Sequence, residues 1–126
     1  MELNLNLKPM TLLTKYARNA FAEQMDRSKQ GKERFGIINM SGLISLYPIP
    51  NVSNCSGTKK YEDTLIRTFE KSYFERNIDT LIVQPGPVET GLIDNLTIPG
   101  VSCLPEATVR GALGNLGLLN TCNGAT

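Results

Sequence analysis

The chain has 126 residues, enough for one compact domain and too few for two of ordinary size. Its 13 basic and 12 acidic side chains are scattered and nearly cancel to a net charge of +1, which gives no electrostatic footprint for nucleic acid or an anionic membrane. There is no histidine, so Ser-His-Asp and Cys-His nucleophile schemes and histidine-ligated metals are excluded.

The apolar residues Met10, Leu13, Ala17, Ala20, Phe21 and Met25 recur at spacings of three and four, so residues 5–27 read as an amphipathic helix. Pro9 is expected to kink or delay its first turns. A polar, glycine-containing loop covers 28–33, and the nearly continuous apolar run Phe35–Met40 reads as a buried strand. Two prolines make 42–51 a loop. From about Ser53 the positions Tyr61, Leu65, Ile66, Phe69 and Tyr73 mark a second long helix, expected to end near Asn77. Residues 80–83 form another apolar run, stopped by Pro85-Gly86-Pro87. Strand, long helix and strand make a βαβ unit, whose strands pair in parallel through a right-handed crossover.

Residues 91–104 are loop-like, and Pro105 followed by Glu106 starts a helix expected to reach Leu119. Residues 120–126 are too short to assign. Gly111, Gly114 and Gly117 are spaced by three, follow no strand and lie in the last helix, so they read as close packing rather than as a phosphate loop.

No apolar run approaches the roughly 18 residues of a membrane span and no leader-like segment opens the chain, which therefore reads as soluble. Cys55, Cys103 and Cys122 form no C-x-x-C pair, so neither a metal site nor a disulfide framework is indicated. Free thiols in a reducing compartment are expected. The protein is accordingly placed inside the cell, in the cytoplasm or in association with the endoplasmic reticulum. The sequons at Asn39, Asn51, Asn54 and Asn95 read as chance.

The segment from Asn39 to Lys59 carries the chemistry. It contains Asn39-Met-Ser41-Gly42, then Pro48 and Pro50, then Cys55-Ser56-Gly57-Thr58-Lys59. This pattern resembles the active-site segment of short-chain dehydrogenases/reductases, in the branch of hydroxysteroid dehydrogenases and 3-oxoacyl-CoA reductases. That segment has Asn-Ile-Ser-Ser, a tyrosine thirteen residues beyond its second serine, and a lysine four residues after the tyrosine. Lys59 occupies the lysine position, Cys55 the tyrosine position and Gly42 the position of the catalytic serine. The resemblance implies that Lys59 holds the ribose of a nicotinamide cofactor, NADP or NAD, and that Asn6 is the asparagine anchoring a proton-relay water. Pro85, Gly86, Val88 and Thr90 are similar to the family's Pro-Gly-x-Val-x-Thr, which contacts the nicotinamide carboxamide.

The resemblance further implies an α/β fold, the C-terminal half of a Rossmann-like doubly wound parallel sheet in which long helices flank two or three strands. Residues 1–126 would form a single incomplete domain without the N-terminal dinucleotide-binding half, where the glycine-rich turn of the family lies. A thiol is more acidic than a phenol but ends one bond past Cβ, so Cys55 is expected to fall short of a carbonyl that tyrosine reaches. Gly42 offers no hydroxyl. The function expected is that of an impaired oxidoreductase fragment or degenerate paralogue. Two alternatives are a non-catalytic interaction module using the two long helices, and a thiol sensor at Cys55 beside Lys59. Self-association is expected through the exposed strand edge and through helix faces centred on Phe21 and Phe69.

Overall fold

A computed structural model of the chain describes residues 2–28, 33–73, 77–91 and 102–124. Helix α1 spans Glu2–Arg27, strand β1 Phe35–Met40, helix α2 Ser53–Tyr73, strand β2 Ile78–Val83, helix α3 Pro105–Asn115 and strand β3 Thr121–Cys122. A single 3-10 turn, Leu43–Ser45, follows β1. The strands form one parallel sheet in the order β1-β2-β3, with Phe35 opposite Ile78, Met40 opposite Val83 and Val83 opposite Cys122. The molecule is α/β.

Alternation along the strands distributes the side chains to two faces. Leu81 and Val83 point to the face covered by α3, where they are buried with Ala112 and Cys122 and meet Ile38 and Leu116. The opposite face carries Asn39, Thr80 and Ile82, and α2 lies over it with Ile66 fully buried and Phe69 nearly so. Burying a side chain such as Ile66 contributes about 1.5–3 kcal/mol. Helix α1 forms an outer layer along α2, tied by Asn6 Nδ2 donating to Thr58 Oγ1 at 3.1 Å and by a 2.8 Å hydrogen bond between the Thr11 and Tyr61 hydroxyls. At the far end of α1 the Phe21 ring stacks on Phe35, with centroids 4.6 Å apart.

Several expectations are corrected. Helix α1 begins at Glu2 and passes through Pro9 without delay. Its contacts to α2 fall on both sides of the proline, at Asn6 and Thr11, and hold the turns that the missing N–H weakens. Strand β2 starts at Ile78, two residues early, because its pairing with Phe35 is supported by a bidentate ion pair in which Arg34 donates from Nη2 to Asp79 Oδ1 at 2.7 Å and from Nε to Oδ2 at 3.2 Å. That hydrogen bond raises the Arg34 guanidinium further above its ordinary range. Helix α3 ends at Asn115, short of Leu119. There the Asn115 side chain donates to the Gly111 carbonyl at 2.7 Å, and Gly117 takes a φ of +79°, a conformation glycine adopts without strain. The chain then turns into β3, which its two residues had been too short to reveal. Gly111 and Gly114 lie within α3; Gly111 is buried, whereas a side chain at Gly114 would meet open space. The described part of α2 ends at Tyr73, and residues 74–76 and 92–101 lie outside the described residues.

The apolar surface also differs from expectation. Phe69 is buried and Phe21 is half-buried against Phe35, so neither centres an exposed face. The large apolar side chains left in solvent on α1 are instead Leu3, Leu5, Leu12, Leu13 and Tyr16. Among the described residues no helix is long and apolar enough to cross a membrane.

Candidate functional site

Three segments meet at the C-terminal ends of β1 and β2. The first is the turn after β1. Gly42 is extended there, with φ −177° and ψ 157°, and Leu43 N donates to the Pro85 carbonyl at 3.0 Å. A Cβ placed on Gly42 would lie 3.7 Å from Ile44 Cγ1 and 3.9 Å from Pro85 O, both ordinary van der Waals separations. Glycine is therefore not required here by backbone or by space, and its consequence is chemical: the position lacks a hydroxyl.

The second segment is the start of α2. Cys55 is half-buried in the first turn, and its carbonyl accepts from Thr58 Oγ1 at 2.8 Å. Thr58 in turn accepts from Asn6, so Asn6, Thr58 and Cys55 form a continuous chain of contacts between the two long helices. Asn6 lies well inside α1 rather than near a loose helix start, and is half-buried. Lys59, four residues after Cys55 and on the same side of the helix, donates from Nζ to the Met40 carbonyl at 2.9 Å and to Glu62 Oε2 at 3.0 Å. Its side chain retains 23% exposure.

The third segment follows β2. Pro85 is buried beside the Gly42 turn, Gly86 and Val88 are half-buried, and Thr90 is exposed. Val88 forms a parallel bridge with Cys103, closed by Glu89 N donating to Cys103 O and Cys103 N to Pro87 O, both at 3.0 Å. These bonds fasten the segment before α3 to the segment after β2. The structure thus joins Asn6 to Cys55 through Thr58, Lys59 to the end of β1, and Gly42 to Pro85. It carries Val88 and Thr90 outward along a separate strand-like stretch.

Beneath these positions lies a buried polar network that the sequence did not announce. Ser45 Oγ donates to Asp63 Oδ2 at 2.6 Å, and Gln84 Nε2 donates to the same oxygen at 2.7 Å and to Ser45 Oγ at 3.0 Å. Asp63 is 2% exposed. One residue is contributed by the turn after β1, one by α2 and one by the position directly before Pro85, so the network ties together the three segments that bound the site. Glu62 lies three residues after Lys59, a spacing at which helical side chains meet. Nothing in the spacing of Ser45, Asp63 and Gln84 signals their meeting.

The family is decided by comparison over this same stretch. The sequence model of the family described as short chain dehydrogenase matches residues 2–98. The chain belongs to that family. Among solved structures, one described as 4-hydroxyisoleucine dehydrogenase complexed with NADH superposes with a TM-score of 0.70 at 16% identity, covering 90% of this chain and 48% of the other. A second, described as a mutant of DEH reductase A1-R', gives a TM-score of 0.73 at 17% identity, covering 97% of this chain and 52% of the other. At such identities the likeness is one of fold, the parallel three-stranded sheet and its helices. The chain spans about half the length of the structures it matches.

Proposed function

We propose that this short-chain dehydrogenase chain is the C-terminal half of an oxidoreductase domain of hydroxysteroid or 3-oxoacyl-CoA type, and that its carbonyl-reducing step is impaired. The observation that carries the reading is the placement of Lys59 at the end of β1 with Cys55 one helical turn before it and Gly42 beside Pro85. In this reading NADP or NAD is the cofactor, held by Lys59 and by the Pro85, Gly86, Val88 and Thr90 stretch, and it supplies the hydride when bound. Lys59 suits a ribose hydroxyl because an ammonium has three donors and two are committed to Met40 and Glu62. Asn6 keeps Thr58 and hence the first turn of α2 in place. Cys55 ends too close to the helix to protonate a carbonyl in the pose a tyrosine would serve, and Gly42 has nothing to polarise the carbonyl oxygen. Loss of a positioned general acid alone removes about 10²–10⁴ in rate.

The test is a titration with NADPH and with NADH, followed by turnover assays on a ketone and a 3-oxoacyl thioester. No turnover is expected with either cofactor. Turnover that disappears in Lys59→Ala would overturn the reading.

A second reading is supported by a different observation. Leu5, Leu12, Leu13 and Tyr16 stand in solvent on the side of α1 away from α2, an apolar stripe of the kind that marks an interaction surface. In this reading the chain is a non-catalytic interaction module, and a homo-oligomer forms through the long helices. Sedimentation of the isolated chain separates it from a solitary enzyme fragment.

A further inference from the structure

Lys59 does more than face a cofactor. The β1–β2 ladder uses the odd-numbered residues of β1, since Phe35 N donates to Asn77 O and Ser41 N to Val83 O. The polar groups of Gly36, Ile38 and Met40 therefore point to the other edge, which pairs with no strand among the described residues. The Met40 carbonyl that Lys59 caps is on that open edge.

The second partner of Lys59 is unequal to it in burial. The Glu62 side chain is 6% exposed, whereas that of Lys59 is 23% exposed. A carboxylate so deeply placed needs its counter-ion. The ammonium, by contrast, still has water on one side. Glu62 is thus the member that fixes the geometry, and Lys59 the member that is held.

We propose that Glu62 is a positioning residue that commits Lys59 to the Met40 carbonyl at the end of β1, so that a ligand offering two oxygens, such as a ribose diol, engages the ammonium with both only by displacing the Glu62 carboxylate. The ligand half of this statement rests on the nicotinamide reading above; the positioning half does not. Two of the three ammonium donors are occupied, and a diol meeting the resting site finds one. Removing the charge at position 62 weakens the hold on the second donor, because a neutral amide oxygen accepts less strongly than a carboxylate, and so loosens the placement of Lys59 over Met40.

The experiment is limited acylation of the whole folded chain with an amine-reactive acetyl ester, read by peptide mass spectrometry as the ratio of Lys59 to the exposed neighbour Lys60. Glu62→Gln is expected to raise that ratio roughly tenfold, the factor corresponding to loss of one charged hydrogen bond. If Glu62→Gln does not fold by circular dichroism, Glu62→Asp keeps the charge, shortens its reach and gives a smaller rise. An unchanged ratio in a folded variant overturns the proposal. Added NADPH serves as the separate arm. A raised ratio that NADPH never suppresses leaves the positioning role standing and removes the nicotinamide reading, whereas suppression that is stronger in Glu62→Gln than in the natural chain supports both.

Discussion

Truncating Asp63 should cost less than truncating the glutamine that serves it. Asp63 Oδ2 accepts from Ser45 at 2.6 Å and from Gln84 at 2.7 Å, and hydrogen bonds to a charged group contribute about 1.5–3 kcal/mol each. Their gross contribution is about 3–6 kcal/mol, but burying the carboxylate costs several kcal/mol, which its removal also returns. Asp63→Ala leaves Gln84 still bonded to Ser45 at 3.0 Å, so the net loss is expected near 2–3 kcal/mol. Gln84→Ala instead leaves a buried carboxylate with a single donor and is expected to cost more than about 3 kcal/mol, because an under-satisfied charged group is penalised beyond the roughly 1–3 kcal/mol of a neutral one. The double variant should be milder than the sum, with a coupling of at least about 1.5 kcal/mol. Urea unfolding followed by circular dichroism measures all three. Additivity within about 0.5 kcal/mol, or Asp63→Ala proving the more damaging change, would refute the reasoning.

Glycine substitutions should separate by conformation. Gly42→Ser, extended and in ordinary contact, should change stability by less than about 1 kcal/mol, while Gly124→Ala, at φ +76° with Thr108 Cγ2 only 2.8 Å from the new Cβ, should cost about 1–3 kcal/mol in the same urea assay. Among the thiols, Cys55 is half-buried at a helix start, Cys103 is hydrogen-bonded to Thr108 at 3.2 Å and Cys122 is buried in the core. Alkylation at neutral pH should therefore modify Cys55 first and Cys122 last, and faster labelling of Cys122 in the folded chain would contradict its placement. Tyr16→Glu together with Leu12→Glu should lower any self-association seen by sedimentation without altering the helical signal, and an unchanged assembly would exclude the exposed side of α1 as its seat.

The sheet and long helices were readable because each signal is local. Phe35–Met40 and the core of β2 are apolar runs bounded by glycine and proline, and Ile66 and Phe69 recur at helical spacing. The errors arose where distant contacts override local preference. Pro9 suggests an interruption until the contacts of Asn6 and Thr11 with α2 are counted, and β3 consists of only two residues whose assignment depends on Val83 lying beside them. Gly42, Cys55 and Lys59 were singled out by matching their spacing to the family's motif. Their surroundings could not be read in this way, because the Met40 carbonyl that receives Lys59 belongs to a strand nineteen residues away, and Asp63 finds its partners eighteen and twenty-one residues off.

Helix α2 meets the sheet in two different ways along its length. Toward its end, Ile66 and Phe69 are buried by apolar packing, while nearer its start the buried positions are polar: Ser56, Thr58, Glu62 and Asp63. The apolar half fixes where the helix lies whatever chemistry the first turns carry. A change at a position of those turns that is only half-buried, such as Cys55, therefore leaves the seat of the helix in place. The arrangement lets the placement of the helix and the chemistry of its first turns vary separately.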